Sequence, residues 1–278
     1  MTSKVAKDAF RKAIEIFFPA SKVELGIMPH YGGELYTKNH AFLVNGYFYN
    51  FHTQVDLTEI TKRGLCNETV IIPSVREIEY DKIIGFEKVA THTESIVSFE
   101  NSNDVFSSLS HVLNRQEFRE LRRKHRKINA SFEVVSADQL NDTIFDDIIY
   151  IDALHNIKYK AKVHLFNRNV QTCFINSPLS KHLRWILRRD ERGVIVQFMM
   201  ILLGLKEKTI YCLHQAINHK DIAPGDNFYV GTFVDVYLWG KENGFDFIHL
   251  GRGGANEKKK IGASLFYTQN HWLKVGCL

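Results

Sequence analysis

Cysteine is scarce and scattered. Cys66, Cys173, Cys212 and Cys277 are the only four in 278 residues, and no two form a C-x-x-C pair. That spacing argues against a zinc site and a disulfide framework, and it suits a reducing compartment, so a cytoplasmic location is expected. The N-terminal "MTSKVAKDAFRKAIEIFF" alternates charges with apolar residues and holds no signal-peptide core. The longest apolar run, "GVIVQFMMILLGL" at 193–205, contains Gln197 and is too short to cross a bilayer. It reads as a buried strand. No repeat or low-complexity tract is present, and no G-x-S-x-G marks a covalent nucleophile.

What is present is a globular core. The chain is 45% hydrophobic and 12% aromatic with five prolines, the composition of a folded chain rather than a disordered one. A net charge of +5 is compatible with a phosphate-bearing ligand or nucleic acid and proves neither.

Periodicity predicts an opening helix (Ala6, Phe10, Ile14, Phe17) ended by Pro19, and a hairpin over 40–51 turning at Asn45-Gly46. "TVIIPSV" and "SIVSF" read as strands, and the helix after Asp104 should bury Val105, Leu109 and Val112. Residues 114–127 hold seven Arg or Lys around Phe118 and Leu121, a helix with a broad cationic face. It could grip tRNA or an acidic partner, or simply be solvated. Ser136-x-x-Gln139 predicts a capping box for a helix over 137–155. Further on, strands 194–203 and 209–218 should pair antiparallel. A helix over 228–243, capped by Asp226 or Asn227 and stopped at Gly244, should cross to a strand at 245–250 that runs parallel to 209–218 or splays from it. The loop Gly251-Arg252-Gly253-Gly254 follows.

This order resembles the GNAT acyltransferase fold, and three stretches resemble its FemAB-like branch: "NRQEFRELRRKHRKINASFEVV", "APGDNFYVGTFVDVYLWGKENGFDFIHLGRG" and "EKKKIGAS", the last with Ile261 where an aromatic is usual. The likeness covers residues 111–270. It implies an α/β protein with a GNAT-like mixed sheet flanked by helices. Residues 1–110 would be an eroded GNAT-like lobe packed against the GNAT-like domain at 111–278. The chemistry implied is N-acyl transfer by direct attack of an amine on a thioester, with acyl-CoA or an acyl-carrier protein as co-substrate and no resident cofactor or metal. An aminoacyl-tRNA-dependent transferase and a non-catalytic binding module of the same shape are the alternatives. Ordinary acetyl-CoA enzymes carry a phosphate nest before the central helix, R/Q-x-x-G-x-G/A. Here that place reads "HKDIAPGDN", with two acids, which favours a donor other than free CoA.

Candidate residues follow from these positions. His214, inside the central strand, and His249, opening towards the glycine loop, are candidate bases, each with a structural hydrogen-bonding role as the alternative. Tyr267 falls where the resemblance implies an acid for the departing thiolate. Asn218, Asn227 and Phe228 flank the expected donor site between strand and helix. Arg252, Gly253, Lys258 and Lys260 would hold the acceptor or a phosphate; a tight turn and a solvated charge run are the plainer readings.

Overall fold

The computed structural model describes residues 35–36, 41–43, 69–76, 82, 84–102, 104–128, 130–159, 168, 172, 175–176, 180–220, 222, 227–252 and 254–274. The helix expected over 6–17 lies outside them, as does the Asn45-Gly46 turn. The chain divides into two compact units, Met1–Glu94 with Tyr267–Leu278, and Ser95–Phe266. A boundary expected at 110/111 therefore falls at 94/95. Val105 and Leu109 pack into the core of the second unit and carry the segment before 111 with them.

In the first unit, β1 (Leu35–Tyr36) is antiparallel to β2 (Ala41–Leu43), and β2 runs parallel to β3 (Thr69–Arg76). β3 in turn is antiparallel to β10 (Leu265–Lys274). The buried carboxylate of Glu94 accepts from Gln269 Nε2 at 3.0 Å.

The second unit begins within β4 (Glu87–Ser98) and holds β5 (Ser131–Ser136), β6 (Leu183–Arg189), β7 (Ile195–Gly204), β8 (Thr209–Ile217) and β9 (Phe247–Arg252) in the order β4-β9-β8-β7-β6-β5. β5 to β8 are antiparallel neighbours, and β8 and β9 are parallel. β7 is buried at every position from Ile195 to Leu203, because helices cover both of its faces. On one face, Met199, Ile201, Ile210 and Ile248 pack on Phe233, Val236 and Tyr237 of α4 (Phe228–Glu242). On the other lies α3 (Asp142–Tyr159), which buries Phe145, Ile148 and Ile151.

Local signals explain most boundaries. Asp104 caps α1 (Val105–Val112) by accepting from Ser107 N at 2.6 Å, and Asn114 with Glu117 forms a capping box on α2 (Arg115–Arg126). Four expectations need correction. The Ser136–Gln139 box closes a single 3-10 turn, Ala137–Gln139. The α-helix starts later, where Asn141 Oδ1 accepts from Ile144 N at 2.9 Å, and it runs on to Tyr159. Val112 is 38% exposed and Leu113 is buried instead, because the chain turns extended at Leu113. Asn227 occupies the N-cap position of α4 with φ −107° and ψ 54° and makes no capping bond through its side chain. β9 starts at Phe247, since Asp246 N and Phe247 N both donate to Lys208 O, and it continues through Gly251 and Arg252 rather than ending before them.

The sheet is tied to its helices by a buried ion pair. Arg188, 2% exposed, donates to Thr232 Oγ1 at 2.6 Å and reaches the carboxylate of Asp235 on α4. Thr232 Oγ1 passes the network to Gln197 Oε1 at 2.9 Å, and His125 Nε2 of α2 binds the other Asp235 oxygen at 2.7 Å. Burial pushes the Arg188 guanidinium below its usual range, and Asp235 opposes that shift. Replacing Asp235 with Ala should cost about 3 kcal/mol, the scale of a buried charge left without its partner, read as a lower urea midpoint. The double variant Arg188→Met/Asp235→Leu should recover much of that loss.

Candidate functional site

β8 and β9 are joined over only three register pairs, ending at Tyr211 opposite His249. β8 continues to Ile217, so the two parallel strands part in the middle of the sheet. β8 changes register just beyond. Met200 faces His214 and Ile201 faces Cys212, so Leu213 is an extra residue, a β-bulge. A bulge bends its strand and re-aims the side chains after it. Here Tyr211 and His214 come to share the α3 face, with Cys212 on the α4 face.

On the α3 face the structure assembles a polar cluster. His214 Nε2 lies 2.7 Å from Asp152 Oδ1, and Asp152 Oδ2 accepts from Asn156 Nδ2 at 2.7 Å. Both Asp152 and Asn156 are buried. The carboxylate holds the imidazole in the tautomer that places its proton on Nε2 and leaves Nδ1 as the basic nitrogen. His155 stands edge-on to His214 with centroids 6.3 Å apart, and His219 stacks on His155 at 6.0 Å. Burial, with His214 and His219 alongside, holds the His155 imidazole down at about 4, and burial also lowers His219. His155 Nδ1 accepts from Ile217 N at 3.4 Å, a bond only the unprotonated nitrogen can accept. Tyr159 packs on His155 at 4.6 Å and on His219 at 6.1 Å. His219 Nε2 is buried with no hydrogen-bond partner among the described residues.

On the α4 face, the fork carries Cys212 and Lys258. Lys258 sits on α5 (Ala255–Lys259) and is only 7% exposed. Burial pushes its amine down to about 8 and the Cys212 thiol up to about 12, and the two interact electrostatically. A thiol at that value is neutral near pH 7 and a poor nucleophile.

The structure thus brings His214 and Lys258 to opposite faces of one fork, with His249 at its closed end. His249 is fully buried, its Nδ1 accepts from Gly251 N at 3.0 Å, and its ring lies 5.4 Å from Tyr211. Asn218 is buried and turns the chain, its N–H donating to Val196 O at 2.8 Å and its Oδ1 accepting from Lys220 N at 3.1 Å. Phe228 packs with Val196 and Ile217. Lys260 is exposed and paired with Glu257 at 2.9 Å. Arg252 ends β9, Gly253 lies outside the described residues, and Tyr267 belongs to the first unit. Asp246 is held by Lys241 at 2.9 Å. Among the described residues no three acidic, His or Cys side chains are placed to hold a metal, and no helix is long and apolar enough to cross a membrane.

Asp152, His155, Tyr159 and His219 were not singled out by the sequence. Their one local signal is Asp152 and Asn156, polar and four residues apart, interrupting the apolar stripe of α3.

No family model matches the chain, and no curated protein matches it. Solved structures do. L-PGS from Bacillus licheniformis superposes with a TM-score of 0.60 at 14% identity, covering 89% of this chain and 83% of its own. The C-terminal domain (DUF2156) of a putative lysylphosphatidylglycerol synthetase from Agrobacterium fabrum gives 0.60 at 13% identity, covering 90% and 85%. FemX gives 0.56 at 9% identity, covering 79% and 75%. The chain has a GNAT-like fold of the FemAB type, with the mixed sheet and flanking helices expected from its sequence.

Since His155 and His219 resist protonation when folded, the unfolded chain binds more protons between the ordinary histidine value and about pH 4. Their contribution to stability is therefore complete above roughly pH 6.5 and is lost as pH falls towards 4. Thermal melts from pH 7.5 to 4.5 should show that decline, and His155→Asn should make it shallower.

Proposed function

We propose that this protein is an N-acyltransferase that moves an acyl group from a thioester donor to a small amine by direct attack. The observation that carries the reading is the β8–β9 fork with an Asp152–His214 pair on one face and a buried lysine on the other. An amine arriving as an ammonium ion must lose a proton before it can attack. His214 Nδ1 takes it, while Asp152 keeps the ring aimed. The nitrogen adds to the thioester carbonyl, and the negative charge that develops on oxygen meets the Lys258 ammonium in a site of low dielectric. Collapse of the tetrahedral adduct breaks the C–S bond and releases the thiolate, which takes up the second proton that the nitrogen sheds on becoming an amide. No side chain is acylated, consistent with a Cys212 thiol held neutral at about 12.

Thiol release from S-acyl-pantetheine or acyl-CoA, assayed across a panel of amino-sugars and amino acids, tests the reading. His214→Ala should lower kcat about 10²–10⁴-fold, and Lys258→Met about 10²-fold or more. Asp152→Asn should fall between wild type and His214→Ala, and Cys212→Ala should keep wild-type turnover. A folded Cys212→Ala enzyme without activity would refute direct attack. A His214→Ala enzyme with wild-type kcat at every pH would remove the proposed base.

A further inference from the structure

One helix of the second unit carries a charge pattern that the chemistry at the fork does not use. Arg115, Arg119, Arg122 and Arg126 recur at i, i+4, i+7 and i+11 along α2, which places them in a row about 16 Å long. With Phe118, Arg123 and Lys127 they line an open hollow of about 560 Å³ whose described lining includes no acidic side chain. The acids of the helix are already engaged. Glu117 closes the capping box, and Glu120 is bound by Arg123 at 2.6 Å, whose guanidinium holds that carboxyl down at about 2. Arg122 is braced over the rings of Phe106 and Phe118, at 5.0 and 5.8 Å. Among the described residues the row is thus uncompensated, and Arg122 within it is braced.

Its position relates it to the donor path. The C-terminal end of α2 packs on the first turn of α4, where a side chain at Gly231 would collide with Ile128 and lie 3.7 Å from the His125 backbone. His125 itself is bonded to Asp235. The arginine row therefore ends beside the start of α4, where α4 meets the end of β8.

We propose that the α2 arginine row is the docking surface for an acidic carrier protein that presents the acyl group as a phosphopantetheine thioester. This rests on the thioester-donor reading and names the form in which that donor arrives. Two features of the chain favour a carrier over free CoA. The segment leading into α4, residues 219–227, holds Asp221 and Asp226 and none of the glycine pattern that cradles a pyrophosphate, and a carrier-borne arm brings no pyrophosphate. Helical spacing of the arginines also matches carboxylates repeated along a partner helix, pair by pair. The surface suits a partner that must leave at every turnover. None of the exposed large apolar residues among those described lies on α2, and Phe118 in the hollow is partly covered, so there is little apolar anchorage to slow release, and opposite charge speeds encounter.

Fluorescence anisotropy with an acyl carrier protein labelled on its pantetheine arm tests the proposal, alongside unacylated tRNA and phosphatidylglycerol vesicles as competing polyanions. Wild type should bind the carrier, more weakly as salt rises. Arg119→Glu/Arg126→Glu should bind it at least tenfold more weakly, while turning over S-acyl-pantetheine at the wild-type rate and keeping its Tm. Lys206→Glu, on the turn before β8, should change neither. Carrier affinity unaltered by the double reversal overturns the docking site and leaves the thioester chemistry standing. Carrier affinity below that for tRNA or vesicles, with the double reversal abolishing the latter, reassigns the surface and overturns the proposal. Wild-type enzyme that turns over no thioester refutes the underlying reading instead.

Discussion

A guanidinium inside the sheet sets the terms for everything around it. Arg188 lies on β6 with almost no access to water, and an isolated charge there would cost several kcal/mol. It is tolerated because Asp235, Thr232 and, through Thr232, Gln197 converge on it from two other elements. The requirement fixes the rotation of α4 about its axis and its height over β6 and β7. It also draws in α2, since the second oxygen of Asp235 is taken by His125. Hydrophobic packing alone tolerates small slips of a helix over a sheet; a buried charge with a specified set of partners does not. The start of α4 and the fork beside it inherit that precision.

In the proposed reaction, the fork divides its groups between the two faces of one sheet. The bulge at Leu213 aims His214 at Asp152, on the face opposite to Cys212, within three residues. Without the extra residue, strict alternation would return residue 213, not 214, to the α3 face. A proton acceptor and a cation are thereby kept on opposite sides of the backbone. Their separation keeps the lysine from competing with the imidazole for Asp152, which the histidine needs for its orientation.

The strand and helix order after residue 193 was readable because β7, β8 and α4 differ sharply in periodicity and are separated by glycine-bearing turns. The antiparallel β7–β8 pair and the parallel, splaying β8–β9 pair follow from that order. The polar cluster was not readable. His214 was visible as a histidine in a strand, but Asp152 is 62 residues away, and no local spacing announces a partner at that distance. Lys258 was seen within a run of three lysines, which looks solvated until α5 turns one of them inward. The loop expected at 251–254 was misjudged at its start. Glycine and arginine suggested a turn, whereas Gly251 at φ 81° still serves as strand, with its N–H bound by the His249 side chain.

The three-pair union of β8 and β9 bears on how the domain acquires its structure. β6, β7 and β8 follow one another through short reversals at 190–194 and 205–208, so their contacts are close in sequence and cheap in loop-closure entropy. β9 returns to this meander only after the long α4 crossover, and it gains three register pairs with β8 when it arrives. Beyond those pairs, β9 is held by β4 along its other edge and by the apolar seam of Ile210 and Ile248 under α4, where Gly240 allows the close approach. The β6–β7–β8 meander is thus the part with the lowest loop-closure cost, and β9 joins it across a longer connection. The seam where the sheet forks is therefore closed across a longer loop than either reversal of the meander.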